Sequence, residues 1–235
     1  MGRVLVAVLA TGALLALSIP AAAQSQALNF SLGYFTVKGE DARVDDDVLL
    51  ADLGSSIPLL FEVSDFNGAS AGVEWLAGLN DWLEAGVGIG FYRRTVPSVY
   101  ATLTRPGGAE IEQDLRLRVV PVTATVRILP LGRSAVQPYV GGGIGVLSWR
   151  YSETGEFVDS FTFEIFRARY TESGVSLGPI VLGGLRAALD DWIVGGELRY
   201  QGGEGELPVG GTDGFLGSRI DLGGYTFSVT FGRRF

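Results

Sequence analysis

Residues 225–232 read YTFSVTFG, and this stretch decides the fold. Large and small side chains alternate along it, and successive side chains of a β-strand point to opposite faces. One face carries Tyr225, Phe227, Val229 and Phe231, and the other carries Thr226, Ser228, Thr230 and Gly232. The stretch is therefore predicted to be a strand with one bulky apolar face and one face of hydroxyl groups and glycine.

The same alternation dominates the chain from residue 27 onward. It predicts eight strands, at residues 28–34, 71–79, 83–91, 120–128, 136–151, 175–189, 192–201 and 225–232. The facing of the glycine-rich strand at 136–151 stays open. Strands of this kind suit the roughly 9–11 residues that a tilted strand needs to cross the hydrocarbon of a membrane.

The connections between these strands alternate in length. Short turns are predicted at 80–81, 130–134 and 190–191, and long polar connections at 39–68, 95–112, 152–173 and 202–219. Short connections at one end and long ones at the other are typical of a transmembrane β-barrel. The predicted fold is all-β, an eight-stranded antiparallel up-and-down barrel with short periplasmic turns and long extracellular loops. Two alternatives stay open: a ten-stranded barrel that uses 57–63 and 161–170, and a soluble lipocalin-like barrel with its apolar faces turned inward.

The first residues have the pattern of an export signal. Arg3 precedes an uncharged apolar run at 4–19, Pro20 ends the run, and residues 21–23 are alanines. This pattern predicts a cleaved signal peptide at 1–23 and a barrel domain at 24–235, and an uncleaved anchor is the alternative. With the barrel pattern, it predicts a location in the bacterial outer membrane.

Six charges fall on the strand faces that oppose the bulky apolar residues, which places them inside the predicted barrel. They are Glu74, Glu84, Glu197, Arg127, Arg186 and Arg199. Three charges of each sign suit a sealed polar interior, because an unpaired charge at low dielectric is costly. We interpret the six as a salt-bridge network that fills the bore, and a gate that opens by exchange of partners is the alternative.

Composition excludes several classes of function. The chain has 235 residues, with no histidine and no cysteine, which excludes imidazole-based hydrolysis, HExxH metalloproteases and thiol or zinc-ribbon chemistry. A net charge of −8 and a pI near 4.6 argue against binding to duplex nucleic acid. The prediction is a protein that is not an enzyme and holds no cofactor or metal.

Two charged clusters lie in the predicted outer connections. The acidic cluster (Glu40, Asp41, Asp45, Asp46 and Asp47) is interpreted as a solvated loop, with a calcium site as the alternative. The arginine cluster contains Arg93, Arg94, Arg105, Arg116 and Arg118. It is either a scatter of loop charges or a contact surface for lipopolysaccharide phosphates.

Aromatic residues near the strand ends predict two interfacial girdles. Trp82, Trp192 and Phe235 belong to one end of the barrel, and Tyr92, Trp149, Tyr151 and Tyr200 to the other.

Two segments carry a family resemblance. QPYVGGGIGV at 137–146 and DWLEAGVG at 81–88 resemble strands of small Gram-negative outer-membrane barrels, the group of the outer membrane protein A transmembrane domain and outer membrane protein W. The C-terminal residues Phe227, Val229, Phe231 and Phe235 are similar to the signal read by the barrel assembly machinery, with Arg233 as a departure from the pattern. The resemblance implies a barrel, the assembly machinery as a partner during biogenesis, and little about activity.

The predicted function is a structural or surface-interaction role as a monomer, with outer-membrane lipid and lipopolysaccharide as partners and no nucleic acid. The alternative is a narrow channel or transporter for small or hydrophobic molecules, favoured by four apolar side chains predicted to point into the bore. These are Leu76, Ile180, Leu182 and Leu222.

Overall fold

The structure is a computed structural model that describes residues 25–159, 162–208 and 214–235. The predicted signal segment at 1–23 lies outside the described residues, as does Phe161. Within the described ranges, no helix is both long enough and apolar enough to cross a membrane.

Eight antiparallel strands form a closed ring, which confirms the predicted fold. In chain order the described strands are β1 (Ser25–Val37), β2 (Leu59–Leu60), β3 (Gly68–Gly78), β4 (Leu83–Thr104), β5 (Glu110–Ile128), β6 (Val136–Val158), β7 (Ile165–Leu189), β8 (Trp192–Gln201), β9 (Glu204–Glu206), β10 (Arg219–Asp221) and β11 (Gly224–Arg234). Around the ring the order is β4-β3-β1-β11-β8-β7-β6-β5, and pairing of β5 with β4 closes it. The short strands β2, β9 and β10 lie outside the ring, and β9 and β10 form a separate two-stranded sheet.

The bulky apolar residues point away from the barrel axis. Leu32 is 73% exposed, Leu177 is 74% exposed and Val229 is 66% exposed. The open facing of β6 is also settled, since Val140 and Ile144 are exposed while Tyr139 is buried. A water-soluble barrel turns its apolar face inward, so the lipocalin-like alternative is wrong. An outward apolar face on a closed ring is the arrangement that lipid requires.

Two of the predicted long loops are mostly strand, so the prediction was wrong at 95–112 and 152–173. β4 and β5 meet in a tight turn in which the amide of Arg105 donates to the carbonyl of Ala109 at 2.8 Å. Gly107 and Gly108 in that turn have φ of 109° and 86°, a backbone region that glycine enters without a Cβ penalty. The ten-strand alternative is wrong too, because residues 165–170 continue β7 and β2 only pairs with the outer part of β4.

The outer ends of β4 to β7 therefore form one continuous sheet above the membrane. We call residues 93–104, 110–118, 150–158 and 165–173 the extracellular sheet. At about 3.4 Å per residue, the segments extend by roughly 30 to 40 Å. The period-2 pattern continues through it, but most outward positions of β5, β6 and β7 change from apolar to charged or hydroxyl residues, which is why these segments resemble loops in the sequence.

The other two long connections fold back into the mouth of the barrel. The first contains a short helix, α1 (Val48–Gly54), which begins where the Asp47 carboxylate accepts from the amide of Leu49 at 3.0 Å. Val48, Leu49 and Phe66 are fully buried. They belong to an apolar group that we call the mouth cluster: Phe35, Val37, Val48, Leu49, Leu59, Phe61, Val63, Phe66, Tyr92, Val96, Leu115, Leu117, Val119, Leu147, Trp149, Tyr151, Leu207, Phe215, Ile220 and Leu222.

The predicted outer aromatic girdle is wrong for three of its four residues. Tyr92, Trp149 and Tyr151 point inward and belong to the mouth cluster. At the opposite end Trp82, Trp192 and Phe235 are exposed, as a girdle requires. Inward-facing rings at the outer end supply the volume that closes the wide upper part of the barrel.

Candidate functional site

The six predicted interior charges lie inside the lower barrel, and their centre is Arg127 on β5. Arg127 is 1% exposed and forms ion pairs with Glu74 from β3 and, at 2.9 Å, with Glu197 from β8. Arg199 contacts the same two carboxylates, at 3.4 Å to Glu74 and 2.9 Å to Glu197. Two guanidinium groups and two carboxylates thus form a neutral cluster that crosses the bore.

The remaining two charges form a second pair nearer the short turns. Arg186 contacts Glu84 at 2.6 Å, and its Nε donates to the side-chain oxygen of Gln137 at 2.9 Å. Glu84 is the direct cross-strand neighbour of Arg127 in the sheet, yet its partner is Arg186 from the opposite wall. Register alone therefore does not give the pairing, since the long side chains reach across the interior.

Tyr139 joins the two groups, and sequence reasoning did not assign it a role. Its hydroxyl donates to Glu197 at 3.0 Å, and the Arg127 guanidinium lies 4.8 Å from the centre of its ring. The Arg186 guanidinium lies 5.6 Å from the same ring. An aromatic face attracts cations at such distances, so Tyr139 stabilises both arginines. The alternation along β6 places Tyr139 and Val140 on opposite faces, but the sequence left open which of the two faces points into the barrel.

Glycines on neighbouring strands make room for these long side chains. Five of the six charged residues have glycine as a direct cross-strand partner: Glu74 faces Gly88, Glu84 faces Gly78, Arg127 faces Gly141, Arg186 faces Gly195 and Glu197 faces Gly184. A Cβ added at Gly195 would lie 2.8 Å from the Cβ of Arg186. The glycine-rich inner wall thus allows the charged chains to lie flat against the barrel.

The acidic cluster in the first outer connection is partly buried, contrary to the predicted solvated loop. Asp47 is fully buried, contacts Arg43 at 2.9 Å and accepts from the backbone amide of Asp221 at 2.6 Å. Asp221 in turn contacts Lys38 at 3.0 Å. Among the described residues, no group of three or more acidic side chains is placed to hold a metal ion, so the calcium alternative gains no support. These contacts hold the first outer connection, which contains Asp47, against the last one, which ends near Asp221.

A pair of buried carboxyl groups, Asp52 and Glu153, lies beside the mouth cluster. They line a cavity of about 460 Å³ that Tyr100 and Phe157 also border. Burial raises the pKa of Glu153 to about 7. The pKa of Asp52 is also raised, first by burial and then by the charges of Glu153 and Asp47. Near neutral pH the carboxyl groups of Glu153 and Asp52 are therefore protonated to a greater extent than exposed carboxyl groups.

Between the mouth cluster and the ion pairs lies a small cavity of about 80 Å³, bordered by Ser31, Thr123 and Ser228. It reaches the wall between β4 and β5. Cross-strand pairing runs up to Ile89–Val122 and resumes at Tyr92–Val119, leaving Gly90 and Phe91 unpaired with β5. Pro121 lies in this gap, and its missing N–H accounts for the interruption, because proline cannot donate to a ladder.

The four apolar side chains predicted to enter the bore are all buried inside it. Leu222 belongs to the mouth cluster, while Ile180 and Leu182 pack with Leu129 and Tyr139 at the lower end. Leu76 packs with Ala27 and Ile193. They fill the interior rather than line an open path.

A family model described as outer membrane protein beta-barrel domain matches residues 9–235, nearly the whole chain. The chain belongs to this family. It is a protein of the bacterial outer membrane, as its outward apolar face requires. A comparison with curated proteins finds no significant match.

Several solved members of the outer-membrane barrel class have similar structures. The outer membrane protein OprG from Pseudomonas aeruginosa aligns with a TM-score of 0.50 at 12% identity, over 90% of this chain and 95% of that chain. Ail, the attachment invasion locus protein of Yersinia pestis, aligns with a TM-score of 0.45 at 13% identity, over 90% and 98%. Neisserial surface protein A aligns with a TM-score of 0.45 at 12% identity, over 90% and 97%. At these identities the likeness concerns the fold alone.

In an outer-membrane barrel the short turns face the periplasm and the longer connections face outward. Of the five arginines predicted at the outer ends, Arg93, Arg116 and Arg118 share one groove on the outer wall, which Arg150 and Arg169 complete. Arg94 instead donates to the carbonyl of Asp65 at 2.8 Å, and Arg105 pairs with Glu156.

The C-terminal residues predicted as an assembly signal lie on the lipid-facing wall. Phe227, Val229 and Phe231 point outward from β11, and Phe235 is 72% exposed beyond its end. The Arg233 guanidinium, the departure from the expected pattern, lies 5.7 Å from the centre of the Trp192 ring. Recognition by the assembly machinery stays a prediction.

Proposed function

We propose that this outer-membrane barrel is sealed and non-enzymatic, and that it acts through its cell-surface face rather than by transport along its bore. The observation that supports this proposal is closure at two levels. The mouth cluster fills the outer half, and the cluster around Arg127 crosses the inner half. Among the described residues, a cavity of about 80 Å³ lies between them, and this volume is too small for a solute path.

The two closures have different physical origins. The mouth cluster buries side chains such as Leu49 and Phe66 completely, and burial of a large apolar side chain contributes about 1.5–3 kcal/mol. The ion-pair cluster is held because separating its charges would leave each one uncompensated in a low-dielectric interior. Neither closure opens without a large free-energy cost, so a resting pore is not expected.

Conductance in planar bilayers tests the proposal. We expect no conductance above background from the wild-type protein, nor from Leu49→Ala/Phe66→Ala, in which the cluster around Arg127 still crosses the bore. Adding Arg127→Ala to that variant weakens both closures and should give flickering openings. The matched control is Leu32→Ala/Phe227→Ala, which removes similar side chains from the lipid-facing wall and should stay silent. Steady conductance in every wild-type preparation would refute a sealed barrel.

A second candidate function rests on the interrupted ladder between β4 and β5. A small apolar molecule in the cavity beside Gly90 and Pro121 would leave through the wall into the lipid, which suits the predicted transporter for hydrophobic molecules. Uptake of a small apolar fluorescent probe into proteoliposomes tests it. Pro121→Val, which restores the missing N–H, should slow uptake, while Pro97→Val in the extracellular sheet should not. Equal uptake by the two variants would remove this candidate.

A further inference from the structure

A row of arginines crosses the outer wall of the barrel where three neighbouring strands leave the lipid. Arg93 on β4 is the direct cross-strand partner of Arg118 on β5, and Arg118 is the direct partner of Arg150 on β6. All three side chains are exposed and lie at outward-facing positions. Like charges placed directly opposite each other in a sheet are destabilising. A bound anion would offset the repulsion between these three arginines.

The row sits at the upper edge of the lipid-facing apolar band. One outward position nearer the membrane on β4 is Phe91, which is 50% exposed, and the next is Ile89. On β5 the positions below the row are Val120 and Val122. Two residues along a strand span about 7 Å, so the guanidinium groups lie at the depth of lipid headgroups.

The surroundings of the row complete a site for an anion. Arg116 lies one outward position above Arg118, and its Nε donates to the hydroxyl of Thr95 at 3.0 Å. These residues line a groove of about 440 Å³ together with Arg169 and one acidic residue, Asp114. Hydroxyl groups of Ser152, Thr154 and Thr171 border the same groove.

The arginines of this groove have no carboxylate partner in the part of the chain that the structure describes. Among the ion pairs of the described residues, none involves Arg93, Arg116, Arg118, Arg150 or Arg169. By contrast, Arg105 and Arg167 higher on the extracellular sheet both contact Glu156. Five unpaired guanidinium groups against one carboxylate leave the groove strongly positive.

We propose that this groove binds the phosphorylated sugar headgroup of a lipid A-type glycolipid in the outer leaflet. Guanidinium groups bind phosphate through paired charge-assisted hydrogen bonds, and the hydroxyl groups suit a sugar. The apolar band directly below would contact the acyl chains of the same molecule. The inference rests on the proposed surface-interaction role and names its partner, but it does not depend on whether the bore conducts.

Native mass spectrometry of the full detergent-solubilised protein tests the site with three probes: diphosphoryl lipid A, monophosphoryl lipid A and inorganic pyrophosphate. We expect diphosphoryl lipid A to bind most tightly. The Arg93→Gln/Arg118→Gln/Arg150→Gln variant should bind it at least about tenfold more weakly, because three charge-assisted contacts are lost. The matched control is Arg167→Gln, which removes an exposed arginine from the same wall above the groove and should bind like wild type.

Thermal unfolding separates this role from a structural one. Without lipid A, the triple variant should unfold at the wild-type temperature or above it, because a like-charge row has been removed. Added lipid A should raise the unfolding temperatures of the wild type and of Arg167→Gln, and should raise that of the triple variant much less. If the triple variant does not fold, Arg118→Gln alone removes the central charge. Equal binding by the substituted and control variants, or pyrophosphate binding as tight as lipid A binding, would overturn the proposal, and neither result bears on conductance.

Discussion

The charge cluster inside the barrel makes a quantitative prediction for Arg127→Met. Methionine keeps much of the side-chain volume but removes the charge that Glu74 and Glu197 share. Arg199 would then be the single cation for two carboxylates, so a neutral buried group would become negative. Breaking a buried ion pair by removing one partner costs about 3–5 kcal/mol. We expect the free energy of unfolding to fall by this amount.

Urea-induced unfolding in phospholipid vesicles, followed by tryptophan fluorescence, measures the loss by linear extrapolation. The control is Arg118→Met on the outer wall, where an exposed substitution should change the free energy by about 0.5 kcal/mol or less. Adding Glu197→Gln to Arg127→Met restores neutrality and should recover about 2 kcal/mol, a coupling within the range of double-mutant cycles. The reasoning fails if Arg127→Met loses less than about 1 kcal/mol, or if the double variant is no more stable than the single one.

Two further predictions concern the mouth and the wall. Because burial raises the pKa of Glu153 from 4.5 to about 7, the folded protein holds a proton that the unfolded chain releases. Glu153 should therefore contribute about 3 kcal/mol of stability below pH 4.5, and this contribution should be lost as the pH rises to 7. Asp52 acts in the same direction. Urea titrations at pH 5 and pH 8 measure this loss of stability, which should be smaller in Glu153→Gln than in the wild type and smallest in Asp52→Asn/Glu153→Gln. A loss in the double variant as large as in the wild type would contradict the reasoning. Gly195→Val should cost about 1–3 kcal/mol because its Cβ meets Arg186, whereas Gly39→Val, with nothing within 4 Å, should leave the urea midpoint unchanged.

The ring of eight strands could be predicted because, on each membrane strand, one face carries large side chains and the other carries small ones. Lipid requires an outward apolar face, and a narrow bore requires small residues within, so residues such as Phe227 and Ser228 reveal their facing directly. The interior position of the six charged residues could be predicted from the same alternation, because they lie on the faces that oppose the bulky apolar residues. Their partners did not, because Glu84 and Arg127 are neighbours in the sheet yet bind elsewhere.

The outer half of the molecule was harder to predict for a physical reason. Once the strands leave the lipid, water solvates the outward face, and Arg116 and Arg118 alternate with Leu115 and Leu117 in a pattern that looks polar. The strand ends were therefore placed too early. Tyr151 was assigned to a girdle because nothing in the sequence shows that the outer connections return to fill the mouth around it.

The cluster around Arg127 also constrains biogenesis. Its charges come from β3, β5 and β8, which are far apart in the chain, and Glu197 lies 70 residues beyond Arg127. A partly built sheet in the membrane would hold Glu74 and Arg127 without their later partners and would expose ionised groups to hydrocarbon, which is costly. We therefore expect insertion into the membrane to become favourable only after the last strands have joined the sheet and supplied Glu197 and Arg199.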